Sequence, residues 1–69
     1  MADGSLRNRL KERRAELGLT QAELAALVSV SRKTINTVEN GVFVPSTILA
    51  LRLAAALGRK VEELFELAE

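Results

Sequence analysis

The feature that most limits how this chain can fold is the punctuation between Thr20 and Gly41. Thr20 is followed three residues later by Glu23, a pairing in which a hydroxyl and a carboxylate cap two otherwise unpaired backbone N–H groups. Leu19 and Leu24 flank that start and can staple the entering chain to the first turn. The helix that begins there carries Leu24, Ala25 and Val28 on one face. Ser29-Val30-Ser31 then leaves room only for a tight turn. Ser31 caps the next helix, Val30 staples to Ile35, Ile35 and Val38 form its apolar face, and Gly41 stops it. Two short helices joined by about three residues form a helix-turn-helix unit.

Similar signals divide the rest of the chain. Ser5 is positioned to cap a first helix from about Leu6 to Leu17, with Leu6, Leu10 and Leu17 as its buried stripe and Gly18 as its left-handed stop. Val42 to Pro45 reads as a loop, because Pro45 holds Val44 extended. Ser46 caps a fourth helix from about Thr47 to Leu57, ended by Gly58. A short fifth helix from Val61 to about Leu67 brings Val61, Leu64 and Phe65 to the core. With 69 residues, no repeat and no internal linker, the expectation is one domain over 1–69 with its motif at about 20–41. A domain this small buries only roughly 60% of its unfolded surface, so pairing with a second copy would help stability.

Composition narrows the chemistry. Hydrophobic residues make up 48% and aromatics 3%, Phe43 and Phe65 alone, which favours an aliphatic, all-α core over a sheet. There is no cysteine and no histidine, which removes disulfides, thiolate chemistry, ordinary zinc sites and histidine acid–base catalysis. No constellation of nucleophile, base or metal ligands is left, so an enzyme is the weakest class, and no cofactor or small-molecule ligand is implied. A secreted domain of this size without disulfides would be unusual, which points to the cytoplasm. No apolar run reaches the ~20 residues of a membrane span, and MADGS has no hydrophobic signal core. The net charge of +1 says little about nucleic acid, and its distribution says more. Arg7, Arg9, Lys11, Arg13 and Arg14 crowd the first helix, while Glu62, Glu63, Glu66 and Glu69 crowd the end; the plain reading of each run is a solvated helix face.

The segment TQAELAALVSVSRKTINTVENG resembles the Cro/repressor-type, lambda-repressor-like helix-turn-helix transcriptional regulators of the xenobiotic-response-element class. Leu17-Gly18-Leu19, Pro45-Ser46, AALG and VEELF fit the same pattern, so the likeness spans about Leu6 to Phe65. It implies a compact five-helix bundle that binds double-stranded DNA sequence-specifically, usually as a homodimer on a palindromic operator, with repression as the expected role.

Residue chemistry supports that reading beside the resemblance. With Ile35 and Val38 turned inward, Lys33, Asn36, Thr37 and Asn40 turn outward and Arg32 flanks them. Lys and Arg donate to guanine O6 and N7, Asn pairs with adenine, and a threonine methyl can touch a thymine methyl. An ordinary solvated helix would usually mix Glu or Asp into that face. Arg32, Lys33, Asn36 and Thr37 are therefore the expected base readers, and Gln21, Ser31 and Asn40 the expected backbone contacts. Gln21 opens the second helix, where a side-chain amide and free N–H groups suit a phosphate oxygen; the resemblance implies a phosphate-contacting glutamine at this position, and the plainer alternative is a tolerated first-turn residue. The resemblance pairs Arg14 with Glu39 as a structural ion pair, rather than using Arg14 on DNA. Arg7, Arg9, Lys11 and Arg13 are either solvated or weak phosphate contacts.

Three positions depart from the family pattern. Ser29 stands where the turn commonly has Gly, so a left-handed backbone there would cost roughly 1 kcal/mol. The loop Val42-Phe43-Val44 stands where relatives often carry phosphate-touching lysines, which implies fewer phosphate contacts and a shallower salt dependence. Ile48 stands where relatives often carry a charge. Phe43 and Ile48 would mark an interface if exposed, with Leu67 as a second candidate seam, although Phe43 could instead fold back onto the fourth helix. Two other classes stay open. One is an antitoxin or other protein-binding module whose partner covers the Phe43 surface; the other is the DNA-binding part of a longer sensor.

Overall fold

The structure, a computed structural model, describes residues 6–68. Five helices occupy the expected places: α1 (Leu10–Glu16), α2 (Gln21–Val28), α3 (Arg32–Glu39), α4 (Thr47–Leu57) and α5 (Val61–Leu64). Their starts follow the side-chain signals. Thr20 Oγ1 accepts from the Glu23 N–H at 3.0 Å while the Glu23 carboxylate accepts from the Thr20 N–H at 2.8 Å, closing the capping box. Ser31 Oγ accepts from the Thr34 N–H at 3.1 Å, and Ser46 Oγ from the Leu49 N–H at 3.1 Å. Such caps each contribute about 1 kcal/mol.

The two ends of the chain differ from the expected helices. Leu6–Asn8 is a strand, β1, and Phe65–Leu67 is a strand, β2; they pair antiparallel with Leu6 opposite Leu67, Arg7 opposite Glu66 and Asn8 opposite Phe65. Thus α1 starts four residues late and α5 is a single turn. The expected cap, Ser5, lies outside the described residues. In its place Asn8 Oδ1 accepts from the Leu10 N–H at 3.2 Å, and the Arg9 N–H donates to the Leu64 carbonyl at 2.8 Å. The Asn8 amide also donates to the Val38 carbonyl at 2.9 Å, tying the ribbon to the end of α3. Pairing with a distant segment has outweighed local helix periodicity, as it readily does for runs this short. Leu17 also departs from its expected burial. It is 43% exposed, because α1 has already ended at Glu16, whereas Leu10 is fully buried.

The core lies where α2 packs against α3 and α4 and where α5 closes over α4. Leu10, Leu24, Ile35, Leu53, Leu57 and Leu64 are its largest fully buried side chains. Leu19 and Val30, the two expected staples, are partly buried against it. Arg13 and Arg9 are spent on architecture. Arg13 Nε donates to the Leu57 carbonyl at the end of α4 at 2.8 Å, and the Arg9 guanidinium pairs with Glu66 on β2.

Between α2 and α3 the chain turns through Ser29, whose φ of 61° and ψ of 42° are left-handed. A Cβ in that region is strained, and Gly relieves the strain while adding some unfolded-state entropy. Ser29→Gly is expected to raise stability by about 0.5–1 kcal/mol in urea unfolding. An unchanged or lowered midpoint would show that the serine side chain compensates for its backbone.

Candidate nucleic-acid interface

The outer face of α3 is the candidate site, and its orientation follows from its inner face. Ile35 and Val38 are buried in the core, so the 100° step between residues turns Arg32, Lys33 and Asn36 outward, and all three are exposed. Ser31 and Asn40, at the two ends of the helix, are exposed as well; Thr37 is partly buried.

One polar network fixes α3 on the rest of the molecule. Arg14 Nε donates to Glu39 Oε2 at 2.7 Å and Arg14 Nη2 to Glu39 Oε1 at 3.2 Å, a two-pronged pair with side-chain exposures of 14% and 4%. Arg14 Nη1 also donates to the Leu19 carbonyl at 2.9 Å, where the chain enters α2. The Gln21 amide at the start of α2 donates to Glu39 Oε1 and to Asn36 Oδ1, each at 3.1 Å. Asn40 Nδ2 donates to the same Asn36 oxygen at 3.3 Å. The structure therefore joins Arg14 to Glu39, and it also joins Gln21, Asn36 and Asn40, three residues that sequence reasoning considered separately.

This network assigns functional groups. Both hydrogens of the Gln21 amide are engaged inside the protein. What its side chain has left is an acceptor, which a phosphate does not match. The N–H groups of Gln21 and Ala22, in the first turn of α2, have no intrahelical partner and remain suited to an anion. Asn36 has the opposite bias: its oxygen is used twice, so its amide hydrogens are what it can present outward. The threonine hydroxyls of α3 are bonded locally. Thr37 Oγ1 donates to the Thr34 carbonyl at 2.9 Å, and Thr34 Oγ1 shares a hydrogen bond with Ser31 Oγ at 3.0 Å. The Thr37 hydroxyl proton is thus committed, which leaves its methyl group and an acceptor oxygen.

The expected interface residues fall in different places. Phe43 is 47% exposed and lines a groove with Lys33, Thr34, Thr37 and Val42, beside α3. Ile48 is 64% exposed on α4, and Leu67 is 59% exposed on β2. A second groove, of about 360 Å³, runs between β1, β2, α4 and α5 past Leu6, Pro45, Ala50, Leu51, Val61 and Phe65. Sequence reasoning did not single out Leu51, which is exposed on that face; its signal was an apolar residue three positions after Ile48.

Two short helices at a tight left-handed turn, with the second held side-on and its polar face outward, define a helix-turn-helix domain. The chain belongs to the helix-turn-helix family of Cro/C1 type, which it matches over residues 10–64. It is 52% identical over 65 residues to an uncharacterized HTH-type transcriptional regulator of Methanothermobacter thermautotrophicus, covering 93% of this chain and 94% of the relative. It is 41% identical over 64 residues to the HTH-type regulator YgzD of Bacillus subtilis, covering 93% and 97%. Among solved structures, the restriction-modification controller protein C.AhdI of Aeromonas hydrophila superposes with a TM-score of 0.74 at 37% identity, covering 78% of this chain and 82% of that one. The chain is a DNA-binding, HTH-type transcriptional regulator, and its family and relatives are regulators rather than enzymes. No helix among the described residues is long and apolar enough to cross a membrane.

Burial pushes the Glu39 carboxyl up, but hydrogen bonds from Arg14 and Gln21 and the charges of Arg14 and Lys11 outweigh burial and hold it below the usual carboxylate range. As pH falls, the unfolded chain therefore takes up this proton first. The pair's contribution is complete above the ordinary glutamate value of about 4.3 and is lost as pH drops through the lower folded value. Glu39→Gln should flatten the acid limb of stability against pH, and an unchanged limb would remove Glu39 from the account. At neutral pH, Arg14→Met or Glu39→Gln alone should cost roughly 3 kcal/mol, because each leaves a poorly solvated partner. The double variant should cost less than the sum, and strictly additive losses in urea unfolding would show the two do not interact.

Proposed function

We propose that this regulator acts as a repressor in the cytoplasm, binding a palindromic operator as a homodimer with α3 in the major groove of each half-site. The observation that supports this most is the composition of the α3 outer face. Arg32, Lys33 and Asn36 are exposed there, and its one carboxylate, Glu39, is turned inward to Arg14. Such a face suits the acceptor-rich edge of guanine and the backbone of a polyanion. In this reading Arg32 and Lys33 donate to guanine O6 or N7. Asn36 reads with its amide hydrogens, and Thr37 with its methyl. The main-chain N–H groups at the start of α2 around Gln21 hold phosphate, with Ser31 and Asn40 beside α3 doing the same.

The homodimer follows from how little one domain can read. A single recognition helix contacts only a few base pairs, too few to find a site among a genome's competitors. Two copies on a two-fold axis double the readout and place half-sites about one helical turn, ~10 bp, apart. The seam this reading favours uses Ile48 and Leu51, which share a face of α4, with Leu67 on β2 as a second candidate. Phe43, expected in that seam, is better placed for DNA, since it shares its groove with Lys33 and Thr37.

Selection of bound duplexes from random DNA, followed by footprinting, tests the proposal directly. A selected palindrome with half-sites ~10 bp apart is expected, and enrichment of no sequence at all would overturn it. Lys33→Ala should relax preference at one base pair by about 1–3 kcal/mol. Gln21→Ala should weaken binding and alter preference at the base pair Asn36 meets, because it releases the Asn36 oxygen from α2. An unchanged preference in Lys33→Ala, or in Gln21→Ala, would remove the role assigned to that residue. Ile48→Glu or Leu67→Glu should shift light scattering at micromolar concentration from dimer to monomer while helix content holds. A wild-type protein that is monomeric and protects a single half-site would sink the dimer.

A further inference from the structure

The groove beside α3 is apolar in a place where polar contact is the rule. It has a volume of about 310 Å³ and is lined by Lys33, Thr34, Thr37, Val42 and Phe43. Both of its hydroxyls are hydrogen-bonded within the protein, Thr37 donating to the Thr34 carbonyl and Thr34 sharing a bond with Ser31. Beside those threonines the groove is lined by Val42, the half-exposed Phe43 ring and Lys33, and by no charged acceptor. The loop that brings the ring there is anchored: the N–H groups of Val42 and Phe43 both donate to the Thr37 carbonyl, at 2.9 and 3.2 Å. Phe43 is thus held by its backbone against Thr37, which lines the same groove.

We propose that this groove receives the 5-methyl group of a thymine, and that Phe43 is a specificity-determining residue of the operator contact. The inference rests on the reading that α3 lies in the major groove. On that reading the occupant follows by elimination, because the thymine methyl is the one apolar group that the base edges of the major groove display. The groove is large enough for a methyl and the base edge that carries it. Lys33 also lines the groove, and its ammonium is a donor suited to a neighbouring thymine O4 or guanine O6; no carboxylate is among the lining residues to repel phosphates. Phe43 thereby takes the place of a phosphate-binding cation in this loop and exchanges general affinity for discrimination at a T·A pair.

Replacing thymidine by deoxyuridine removes that methyl and changes nothing else on the base edge. A duplex selected from random DNA is therefore made with deoxyuridine at one thymidine position at a time, and its binding is measured with the wild-type protein and with Phe43→Ala. Wild-type affinity should fall about fourfold at one thymidine in each half-site, the equivalent of one buried methyl. Phe43→Ala should bind the thymidine duplex more weakly, keep its helix content, and no longer distinguish deoxyuridine at that position. Tight wild-type binding that is indifferent to deoxyuridine everywhere would overturn the inference, as would a deoxyuridine penalty that persists undiminished in Phe43→Ala. Dissociation of a dimer by Phe43→Ala without DNA would assign the ring to a subunit seam instead, and overturn it too. Failure of the protein to enrich any duplex would bring down the underlying reading, a result distinct from binding without a methyl effect.

Discussion

A carboxylate with 4% of its side chain exposed must be paired, and the pairing of Glu39 with Arg14 is the constraint on which the rest of this small structure depends. The ion pair itself is weak evidence for net stability, since desolvating two charges offsets much of their attraction. Its value is positional. Glu39 is the last residue of α3, Arg14 lies in the last turn of α1, and the Leu19 carbonyl that Arg14 also binds marks the entry to α2. One guanidinium therefore references three helices to one another, and Gln21 closes the arrangement by bonding both Glu39 and Asn36. An exposed helix of eight residues has little stability of its own, so a recognition face on it is only as well aimed as these contacts make it.

Much of this was legible from local chemistry. Thr20, Ser31 and Ser46 cap the helices they were expected to cap, and Gly58 ends α4 where it should, because a cap is a contact among residues close in sequence. Ser29 likewise adopts the left-handed backbone that its place in the turn demands. The inward turn of Ile35 and Val38 needed only the helical period. What was not legible depends on contacts between distant segments. Leu6 and Leu10 stand four residues apart, as on a helix, yet Leu6–Asn8 is extended because Phe65–Leu67 supplies it with backbone partners 57 or more positions away. Arg9 and Arg13 looked like members of a solvated basic run. Their partners, Glu66 and the Leu57 carbonyl, are neighbours only once the chain has folded.

The candidate site shows the same division at finer scale. Residue types named the groups that can meet a base: Arg32, Lys33, Asn36 and Thr37. Which atoms each can offer depends on who else is bonded to it. Asn36 read alone has both a donor and an acceptor, the pairing that adenine asks for; with its oxygen occupied by Gln21 and Asn40, it has donors to give. Gln21 read alone can donate to phosphate; with both hydrogens committed, that role passes to main-chain N–H groups. No periodicity argument could have shown either, since each is a statement about hydrogen-bond satisfaction across helices.

On the proposed reading, satisfaction of this kind is also what would let so short a surface discriminate. A side chain that rotates freely can meet several bases and must lose rotamer freedom to meet any. On this face Thr34 and Thr37 are locked by their own helix, Asn36 by its neighbours in α2 and α3, and Phe43 by a loop tied twice to the Thr37 carbonyl. Arg32 and Lys33 are exposed and carry the long cationic side chains of this face, which suits charges that must reach an anionic surface. On the proposed reading the face divides into a hydrogen-bonded part, which would discriminate by shape and by methyl contact, and a cationic part, which would attract. The loop after α3, Gly41 to Pro45, carries no lysine, so on the proposed reading a larger share of the work falls on the hydrogen-bonded part. On the same reading, a change that loosens the Arg14–Glu39 pair should reach the bases through Gln21 and Asn36 before it reaches the core.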